Sequence, residues 1–344
     1  MKAVNSEKGN FQITGNRSLK SLVTGANGFI GSHLVEKLVQ SEIKVRCLVR
    51  PTSDLCWLKD LPVEFAYGDC VDRDSLSSAV AGVDCVYHLA GATKAKREED
   101  FFTINAGGTE NLIRACLDHN PKMEKFVYLS SQAASGPGVD GRMKTESDPD
   151  FPISSYGKSK LIGEEAVLDH RSRIPVTILR PSVVYGPRDR AFLSLLKLIT
   201  KKIKFSLLGV TQWISMCFVS DLVDSLVKSG TVGVGDGETF FISDGRRYRM
   251  EEIGDTFSAA MRIRAFRLCV PGCLIRGIGA ISETICHFTD QPCLLTRGKA
   301  KEMVQENWTC DITKAKNMLE YRPAIDLIQG TEITVDWYRK NNWL

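Results

Sequence analysis

The sequence predicts an α/β protein in which a parallel β-sheet is covered by helices. Two observations predict this fold class. Short apolar runs rich in β-branched residues recur along the first half of the chain, and stretches with helical spacing lie between them. The composition is consistent with it, because 344 residues with 43% hydrophobic and 25% charged positions can bury a large core.

Strands and helices are predicted in alternation up to about residue 185. The apolar runs predict strands over 19–24, 43–49, 63–67, 83–89, 125–130 and 175–180. Apolar residues at i, i+3 and i+4 predict helices over 29–41, 72–81, 101–119 and 155–171. Since a helix between two strands is the usual crossover of a parallel pair, one parallel sheet is expected. Beyond residue 185 short strands near 204–207 and 238–243 lie among several helices.

Three glycines separate the first predicted strand from the first predicted helix, in the stretch SLVTGANGFIGSHL over 21–34. Gly25, Gly28 and Gly31 leave the backbone bare, which permits a tight turn, the approach of a pyrophosphate and close helix–strand packing. The helix N-terminus then presents free N–H groups to the phosphate. Because a strand precedes the glycines and a helix follows them, they predict a dinucleotide site.

The predicted fold is therefore a Rossmann-type doubly wound parallel sheet with a smaller C-terminal lobe. Residues 19–185 are expected to form mainly the dinucleotide-binding domain. Residues 186–344 are expected to form mainly a substrate-binding lobe, with some segments returning to the sheet. Residues 1–18 are polar and contain no apolar h-region, which predicts a flexible tail rather than a secretory signal.

Charge and cysteine usage argue against several functional classes. The net charge of +4 is small and no long basic run occurs, so no nucleic-acid partner is expected. No apolar run reaches the roughly 18 residues of a membrane span. The 11 cysteines form no CxxC pair and lie mostly in apolar runs, which favours reduced thiols, a cytoplasmic location and no metal site.

The end of the second predicted strand bears on which dinucleotide binds. It ends in CLVRPTSD, so Val49 stands where NAD sites usually place an acid, and Arg50 follows it. A guanidinium can pair with a 2′-phosphate, which favours NADP(H). An Arg50 side chain stacked on adenine or solvated leaves NAD(H) open. Asp69, after the third strand, either reaches the adenine amine or caps a turn.

Several short motifs together resemble the extended short-chain dehydrogenase/reductase superfamily, which includes NAD(P)-dependent epimerases and dehydratases. They are TGxxGxxG (24–31), GD (68–69), HLAG (88–91), SSQAASG (130–136), YGKSK (156–160) and RPSVVYGPRD (180–189). The resemblance runs from about residue 19 to the C-terminus. The stretch LVRPTSD is most similar to the branch of dihydroflavonol reductases and 3β-hydroxysteroid dehydrogenases.

The resemblance implies further contacts to the cofactor beside the three glycines, Arg50 and Asp69. These implied contacts are Asn27, Phe29, Ile30, Cys70, Leu89, Ala90, Gly91, Lys160, Pro181 and Val184. Gly91 is expected to let the chain pass close to the cofactor. His88 beside it could be mistaken for a general base, and we expect a hydrogen-bonded histidine at the strand end.

The expected chemistry centres on a phenol. Tyr156 and Lys160 lie four residues apart and so share one helix face. An ammonium near a phenol lowers its pKa, so that the phenol can exchange a proton with a substrate oxygen. Ser131 lies at the end of a predicted strand, 25 residues before Tyr156, where the resemblance implies a hydrogen bond to the reacting oxygen; Ser130 is its rival. Asn105 is expected to support the active-site helix or to take part in catalysis.

These residues predict an oxidoreductase that interconverts a secondary alcohol and a ketone or aldehyde on a small, lipophilic substrate. A nucleotide-sugar epimerase or dehydratase is one alternative. Val183 and Ile214 stand where the resemblance often implies an asparagine and an arginine for a diphosphate, although Arg188 and Arg190 could compensate. A non-catalytic NADP(H)-binding sensor or scaffold subunit is the other alternative.

Two features suggest contacts with other surfaces. Residues 268–288 are apolar but interrupted by Pro271, Gly272, Arg276 and Glu283, which predicts a lid, a peripheral membrane contact or a core helix. The predicted helices 101–119 and 155–171 resemble those that pair across a two-fold axis in relatives, so a homodimer is expected.

Overall fold

A computed structural model describes residues 19–289 and 295–344 of the chain. The predicted tail over 1–18 lies outside the described residues. The strands are β1 (Lys20–Thr24), β2 (Lys44–Val49), β3 (Glu64–Tyr67), β4 (Cys85–His88), β5 (Lys125–Leu129), β6 (Val176–Pro181), β7 (Val183–Tyr185), β8 (Ile203–Leu207), β9 (Trp213–Ile214), β10 (Met216–Phe218), β11 (Glu238–Ile242), β12 (Tyr248–Arg249), β13 (Phe266–Val270) and β14 (Asn307–Trp308).

Helices connect the strands and flank the sheet. They are α1 (Phe29–Gln40), α2 (Ser77–Val80), α3 (Glu98–Phe101), α4 (Gly108–His119), α5 (Gln132–Ser135), α6 (Ser155–Leu168), α7 (Arg190–Thr200), α8 (Val219–Ser229), α9 (Met250–Met261), α10 (Gly272–Thr289), α11 (Arg297–Met303), α12 (Thr313–Met318) and α13 (Leu327–Lys340). Among the described residues, no helix is both long enough and apolar enough to cross a membrane.

The central sheet has seven parallel strands in the order β11-β6-β5-β4-β1-β2-β3. The predicted Rossmann-type fold class is thereby confirmed. The chain reverses its direction of winding between β1 and β4, so a crevice opens at their carboxyl ends, where sheets of this kind bind ligands. Buried apolar side chains pack on both faces of the sheet, and a third buried cluster lies in the C-terminal part.

Two predicted helices differ from those observed. The helix predicted over 101–119 is α3 and α4 joined by a π-helical segment, Phe102–Gly107. Such wide turns often occur at functional sites. The helix predicted over 72–81 is a 3₁₀ turn, Arg73–Leu76, followed by the single turn α2.

The C-terminal part carries three small sheets that face the carboxyl end of the large one. β8 pairs with β13, β9 pairs with β12 and β14, and β7 pairs with β10. β11 instead adds to the edge of the large sheet beside β6. Helix α6 is tied to β6 by a buried ion pair between Glu164 and Arg180. This ion pair holds α6 against the sheet, and the first turn of α6 borders the cavity described below.

Candidate active site

A cavity of about 1290 Å³ lies between the carboxyl ends of the central strands and the C-terminal sheets. Of the predicted site residues, Ser131, Tyr156, Pro181 and Val184 line it. Much of the remaining wall is apolar and comes from the C-terminal part, namely Phe205, Leu207, Ile214, Met250, Leu268, Val270, Leu274, Ile275, Ile278, Met303 and Trp308. The cavity can therefore surround an extended apolar molecule.

Tyr156 lies in the first turn of α6, and the start of that helix is fixed by a side-chain cap. Ser154 accepts a hydrogen bond from the Gly157 amide at 3.0 Å, which satisfies one of the free N–H groups of the first turn. The half-buried Tyr156 ring packs edge-on against Phe101, with ring centroids 6.0 Å apart. The cap and the ring contact hold the phenol at the cavity wall.

The expectation that Lys160 makes this phenol more acidic is wrong for the observed structure. Burial raises the pKa of Tyr156 to about 12, the Ser131 hydroxyl beside it acts in the opposite direction, and the negative charge of Glu302 raises the pKa further. The Lys160 ammonium donates to the Leu129 carbonyl at 2.7 Å, and burial lowers the pKa of Lys160 itself to about 7. Desolvation therefore outweighs the pairing that the spacing predicted.

The two neighbouring serines at the end of β5 differ in placement. Ser131 caps α5, accepts from the Ala133 amide at 3.1 Å and lines the cavity beside Tyr156. Ser130 is buried outside the cavity lining, and its hydroxyl has no hydrogen-bond partner within the described part of the chain. The geometry therefore favours Ser131 over Ser130 as the hydroxyl that meets a ligand.

Asn105 occupies the π-helical segment and is completely buried. Its side chain accepts from the Ala92 amide at 2.7 Å and donates to the Ser159 hydroxyl at 2.9 Å. Asn105 thus joins the loop after β4 to α6. A Cβ atom on Gly91 would lie 3.0 Å from the Asn105 Oδ1 atom and 3.8 Å from the Lys160 Nζ atom, so the bare backbone there is required for this approach.

His88 has no access to the cavity. It is completely buried, and its two ring nitrogens contact the hydroxyls of Thr24 at 2.7 Å and Thr109 at 2.9 Å. Burial lowers its pKa to about 3, so the ring is neutral at physiological pH. The expectation of a hydrogen-bonded histidine at the strand end is confirmed.

The glycine turn after β1 fits a dinucleotide. Gly25 has a φ of +67°, and a Cβ atom there would lie 2.8 Å from the Ala90 amide nitrogen. Gly28 begins α1 without a side-chain cap, and no acidic residue lies in its first turn, so the N–H groups around Phe29 and Ile30 can receive a phosphate. Gly31 must be bare, since its Cβ would meet the Gly25 carbonyl.

The other residues implied as cofactor contacts border this turn. The Leu89 and Ala90 amides donate to Thr24, at 3.2 and 3.1 Å, which holds the end of β4 against the turn. The Asn27 side chain donates to the Asp54 carbonyl at 3.3 Å. Cys70 is buried, which raises the pKa of its thiol to about 12, so its backbone rather than its thiolate is the group available there.

Arg50 and Asp69 lie side by side at the carboxyl ends of β2 and β3. Their charged groups are 4.0 Å apart, with the Arg50 side chain 68% exposed. Asp69 also accepts from the Val71 amide at 3.2 Å, which is the turn-capping role left open by the sequence. Arg50 is therefore loosely held, with donor groups available to an anion.

Sequence reasoning missed Glu302, which is buried on α11 and lines the cavity. Its carboxylate accepts from Ser154, the cap of α6, at 2.5 Å and pairs with Lys299 at 3.1 Å. Gln132 was also missed; it lines the cavity, and its buried Nε2 atom has no partner among the described residues. No local pattern marks Glu302, because α11 reaches the site only through the tertiary fold, whereas Gln132 follows Ser131 directly in the motif SSQAASG and could have been found there.

The residues weighed for a diphosphate fall into two groups. Val183 and Ile214 both line the cavity, so their apolar side chains border the ligand space. Arg188 instead pairs with Glu36 at 2.6 Å, and Arg190 lies 5.7 Å from the Trp343 ring; neither lines the cavity. The expected compensation by these two arginines is therefore not observed.

Helix α10 and β13 form part of the cavity wall. Leu274 and Ile278 line the cavity and are nevertheless 52% and 47% exposed. Burial is described for residues 272–283 of α10, and among these residues only Gly279 is buried. A core helix, one of the three interpretations of 268–288, is therefore wrong for 268–283, the residues of this segment whose burial is described.

Known proteins resemble this chain in sequence and in fold. A family model described as the NAD dependent epimerase/dehydratase family matches residues 21–240. A ceramide reductase of Caulobacter vibrioides is 32% identical over 331 residues, 94% of this chain and 95% of that protein. A 2-alkyl-3-oxoalkanoate reductase of Shewanella oneidensis is 27% identical, covering 90% and 84% of the two chains.

A solved structure, MoeE5 in complex with UDP-glucuronic acid and NAD, has a TM-score of 0.75 and 24% identity. The match covers 94% of this chain and 99% of MoeE5. At this identity the likeness shows a shared fold.

Proposed function

Because the chain belongs to the NAD-dependent epimerase/dehydratase family and is an NAD(P)-dependent oxidoreductase, we propose that it reduces a ketone on a long apolar molecule to a secondary alcohol. One observation carries the proposal: the large, mostly apolar cavity has Tyr156 and Ser131 in its wall. The names of the ceramide and oxoalkanoate reductases support a lipid ketone as the substrate class.

Tyr156 is the proposed general acid of the reduction. With its pKa near 12 the phenol keeps its proton at neutral pH, so it acts as a general acid toward a carbonyl oxygen. A bound NAD(P)H supplies the hydride for the carbonyl carbon. Tyr156 donates its proton to the oxygen, and Ser131 donates a hydrogen bond to the same oxygen. Lys160 positions α6 by donating to the Leu129 carbonyl of β5. Asn105 positions the same helix by joining the Ala92 amide to the Ser159 hydroxyl on α6.

NADP(H) is the proposed cofactor. Its 2′-phosphate would meet Arg50, which is exposed and follows β2 directly. Charged hydrogen bonds of this kind contribute about 1.5–3 kcal/mol. Arg50→Asp should therefore reduce the affinity for NADPH by about 10- to 100-fold and leave that for NADH nearly unchanged. An unchanged ratio of the two dissociation constants would refute the preference.

A nucleotide-sugar epimerase is the second candidate, and one observation favours it. Lys94, Arg97 and Arg297 lie at the cavity border and could meet a diphosphate. The apolar side chains of Val183 and Ile214 in the wall favour the lipid ketone instead. Incubation with UDP-glucose or UDP-glucuronic acid tests the alternative, because an epimer formed without net oxidation of NADPH would support it.

A homodimer in the cytoplasm is the proposed assembly and location. Ile104 and Ile162, next to α4 and on α6, are 36% and 43% exposed, which fits a two-fold contact through these helices. Light scattering on Ile162→Glu should show dissociation, whereas Ile333→Glu on α13 should not. A wild-type monomer would refute the dimer. The free thiols among the described cysteines favour a reducing compartment.

The central experiment follows NADPH oxidation with 3-oxo compounds of increasing chain length. Activity should rise with chain length, since more apolar surface is buried in the cavity. Tyr156→Phe should lower kcat by about 10²- to 10⁴-fold, the usual contribution of a general acid, with NADPH affinity unchanged. Tyr67→Phe, which removes an exposed hydroxyl outside the cavity, is the control. Equal loss of NADPH binding in Tyr156→Phe would indicate a structural role.

A further inference from the structure

An exposed apolar face surrounds the outer part of the cavity wall. It is formed by β8, β13 and α10, and Phe266 is its most exposed member at 79%. We call it the apolar face, and it consists of Phe205, Leu208, Phe266, Leu268, Leu274, Ile278 and Ile281. Single exposed apolar residues are normal, whereas a contiguous group of this size marks an interaction surface.

The pairing of the strands makes this face contiguous. Leu268 on β13 is opposite Phe205 on the parallel strand β8, and Phe266 lies two residues earlier, on the same side of β13. On α10, Leu274, Ile278 and Ile281 recur at i, i+4 and i+7, which places them along one stripe of the helix. The strands and the helix meet at the cavity, since Leu268, Leu274 and Ile278 all line it.

Positive charge borders the apolar face. Residues 199–210 and 262–282 contain seven lysines and arginines, and the first acidic residue after them is Glu283 on α10, which lines the cavity and accepts from the Arg297 amide. Lys204 and Arg267 both pair with Asp255 on α9. The exposed side chains of the other five form no ion pair with any described residue; they are Lys201, Lys202, Arg262, Arg264 and Arg276.

Apolar side chains bordered by unpaired cations are the chemistry that binds an anionic phospholipid surface. The apolar groups enter the acyl boundary, and each lysine or arginine near the surface adds about 1 kcal/mol. A second copy of this chain fits less well, because pairing two such faces would bring two sets of uncompensated cations together.

We infer that this face docks the protein on an anionic bilayer, with the cavity opening toward the lipid. Phe205, Leu268, Leu274 and Ile278 belong both to the cavity wall and to the exposed face, so an apolar substrate can pass from the membrane into the site without crossing water. The route for substrate rests on the proposed lipid ketone. The docking itself does not, since it depends on surface side chains alone.

The test is flotation of the full chain with vesicles. Wild-type protein should float with an equal mixture of phosphatidylcholine and phosphatidylglycerol, much less with phosphatidylcholine alone, and less at high salt because screening weakens the attraction. Phe266→Asp combined with Ile281→Asp should lower partitioning by about tenfold or more, since both side chains are exposed and lie outside the cavity lining. The matched control is Ile328→Asp combined with Ile333→Asp on α13, also exposed.

Absence of wild-type flotation with the anionic vesicles would overturn the inference, as would equal loss in the control. A wild-type oligomer that the Phe266→Asp/Ile281→Asp variant converts to a smaller species in light scattering would assign the face to a second copy and also overturn it. Reduction of a short, water-soluble ketone is measured in parallel, and this variant should retain it. Flotation with no reduction of any 3-oxo compound in the chain-length series would refute the proposed function alone, and reduction without flotation would refute the docking alone.

Discussion

Replacing Arg180 with alanine tests how α6, the helix that carries Tyr156, is held to the sheet. The Arg180 guanidinium on β6 bonds to both Glu164 oxygens on α6, at 2.9 and 2.5 Å, and to both Asp150 oxygens, at 2.8 and 2.7 Å. The side chains of Arg180 and Glu164 are only 5% and 2% exposed. The substitution would therefore leave the Glu164 carboxylate buried without its partner.

The expected cost follows from that burial. Removing one partner of a buried pair costs about 3–5 kcal/mol, because the remaining charge has lost its compensation. This is a large part of the roughly 5–15 kcal/mol by which a folded protein is stable. An unpaired buried carboxylate has a raised pKa, so it destabilises the fold above that pKa and ceases to do so once protonated. The loss should therefore shrink as the pH falls.

Urea unfolding of the wild type and Arg180→Ala, at neutral pH and at about pH 5, measures this cost. The double variant Arg180→Met with Glu164→Gln should recover part of the stability, because neither residue then carries a buried charge. Lys37→Ala, which breaks the exposed pair with Asp224, is the control and should change stability little. A loss in Arg180→Ala no larger than in the control, or one that does not depend on pH, would refute the reasoning.

Three further outcomes are expected. Glu302→Gln removes a negative charge that raises the pKa of Tyr156. Because alcohol oxidation needs the Tyr156 phenolate, the alkaline rise in the pH–rate profile of oxidation should move to lower pH in this variant. An unmoved profile would contradict the role of the Glu302 charge. Gly25→Ala should weaken NADPH binding by about tenfold or more in calorimetry, because the added Cβ atom would collide with the Ala90 backbone. Gly82→Ala is the control and should not weaken binding, since Gly82 has a similar φ but open space around its Cβ position. Burial raises the pKa of Asp189 to about 6, and Asp189→Asn removes this titration while keeping an acceptor for the α7 cap. In thermal unfolding, the variant should therefore become more stable than wild type by up to about 3 kcal/mol as the pH rises from 4 to 6. A difference in stability that does not depend on pH would count against this expectation.

Much of the fold was predictable because its signals are local. The alternation of apolar runs and helical spacing predicted the six strands β1 to β6 within one or two residues of their observed bounds. The π-helical segment at Asn105 was not predictable, because its wide turn depends on side-chain bonds to Ala92 and Ser159, both distant in sequence from the helix itself. Helix propensity depends on the residue types within a segment, so it does not predict a turn that depends on bonds to distant residues.

The candidate site divides in the same way. Tyr156, Lys160 and Ser131 were found from spacing, since a helix face and a strand end are local geometry. The pKa of Tyr156 was predicted in the wrong direction, because burial by distant segments outweighs a neighbour on the same helix. Glu302 was missed for a related reason, as it meets Ser154 across nearly half of the chain.

The amino-acid sequence by itself determined the alternation of strands and helices, the bare turn after β1 and the residue types of the candidate site, since each depends on neighbours a few positions away. Only the tertiary structure decided the protonation of the phenol, the apolar cavity and its exposed border. Desolvation and cavity shape arise where distant segments pack together, and no local pattern encodes them.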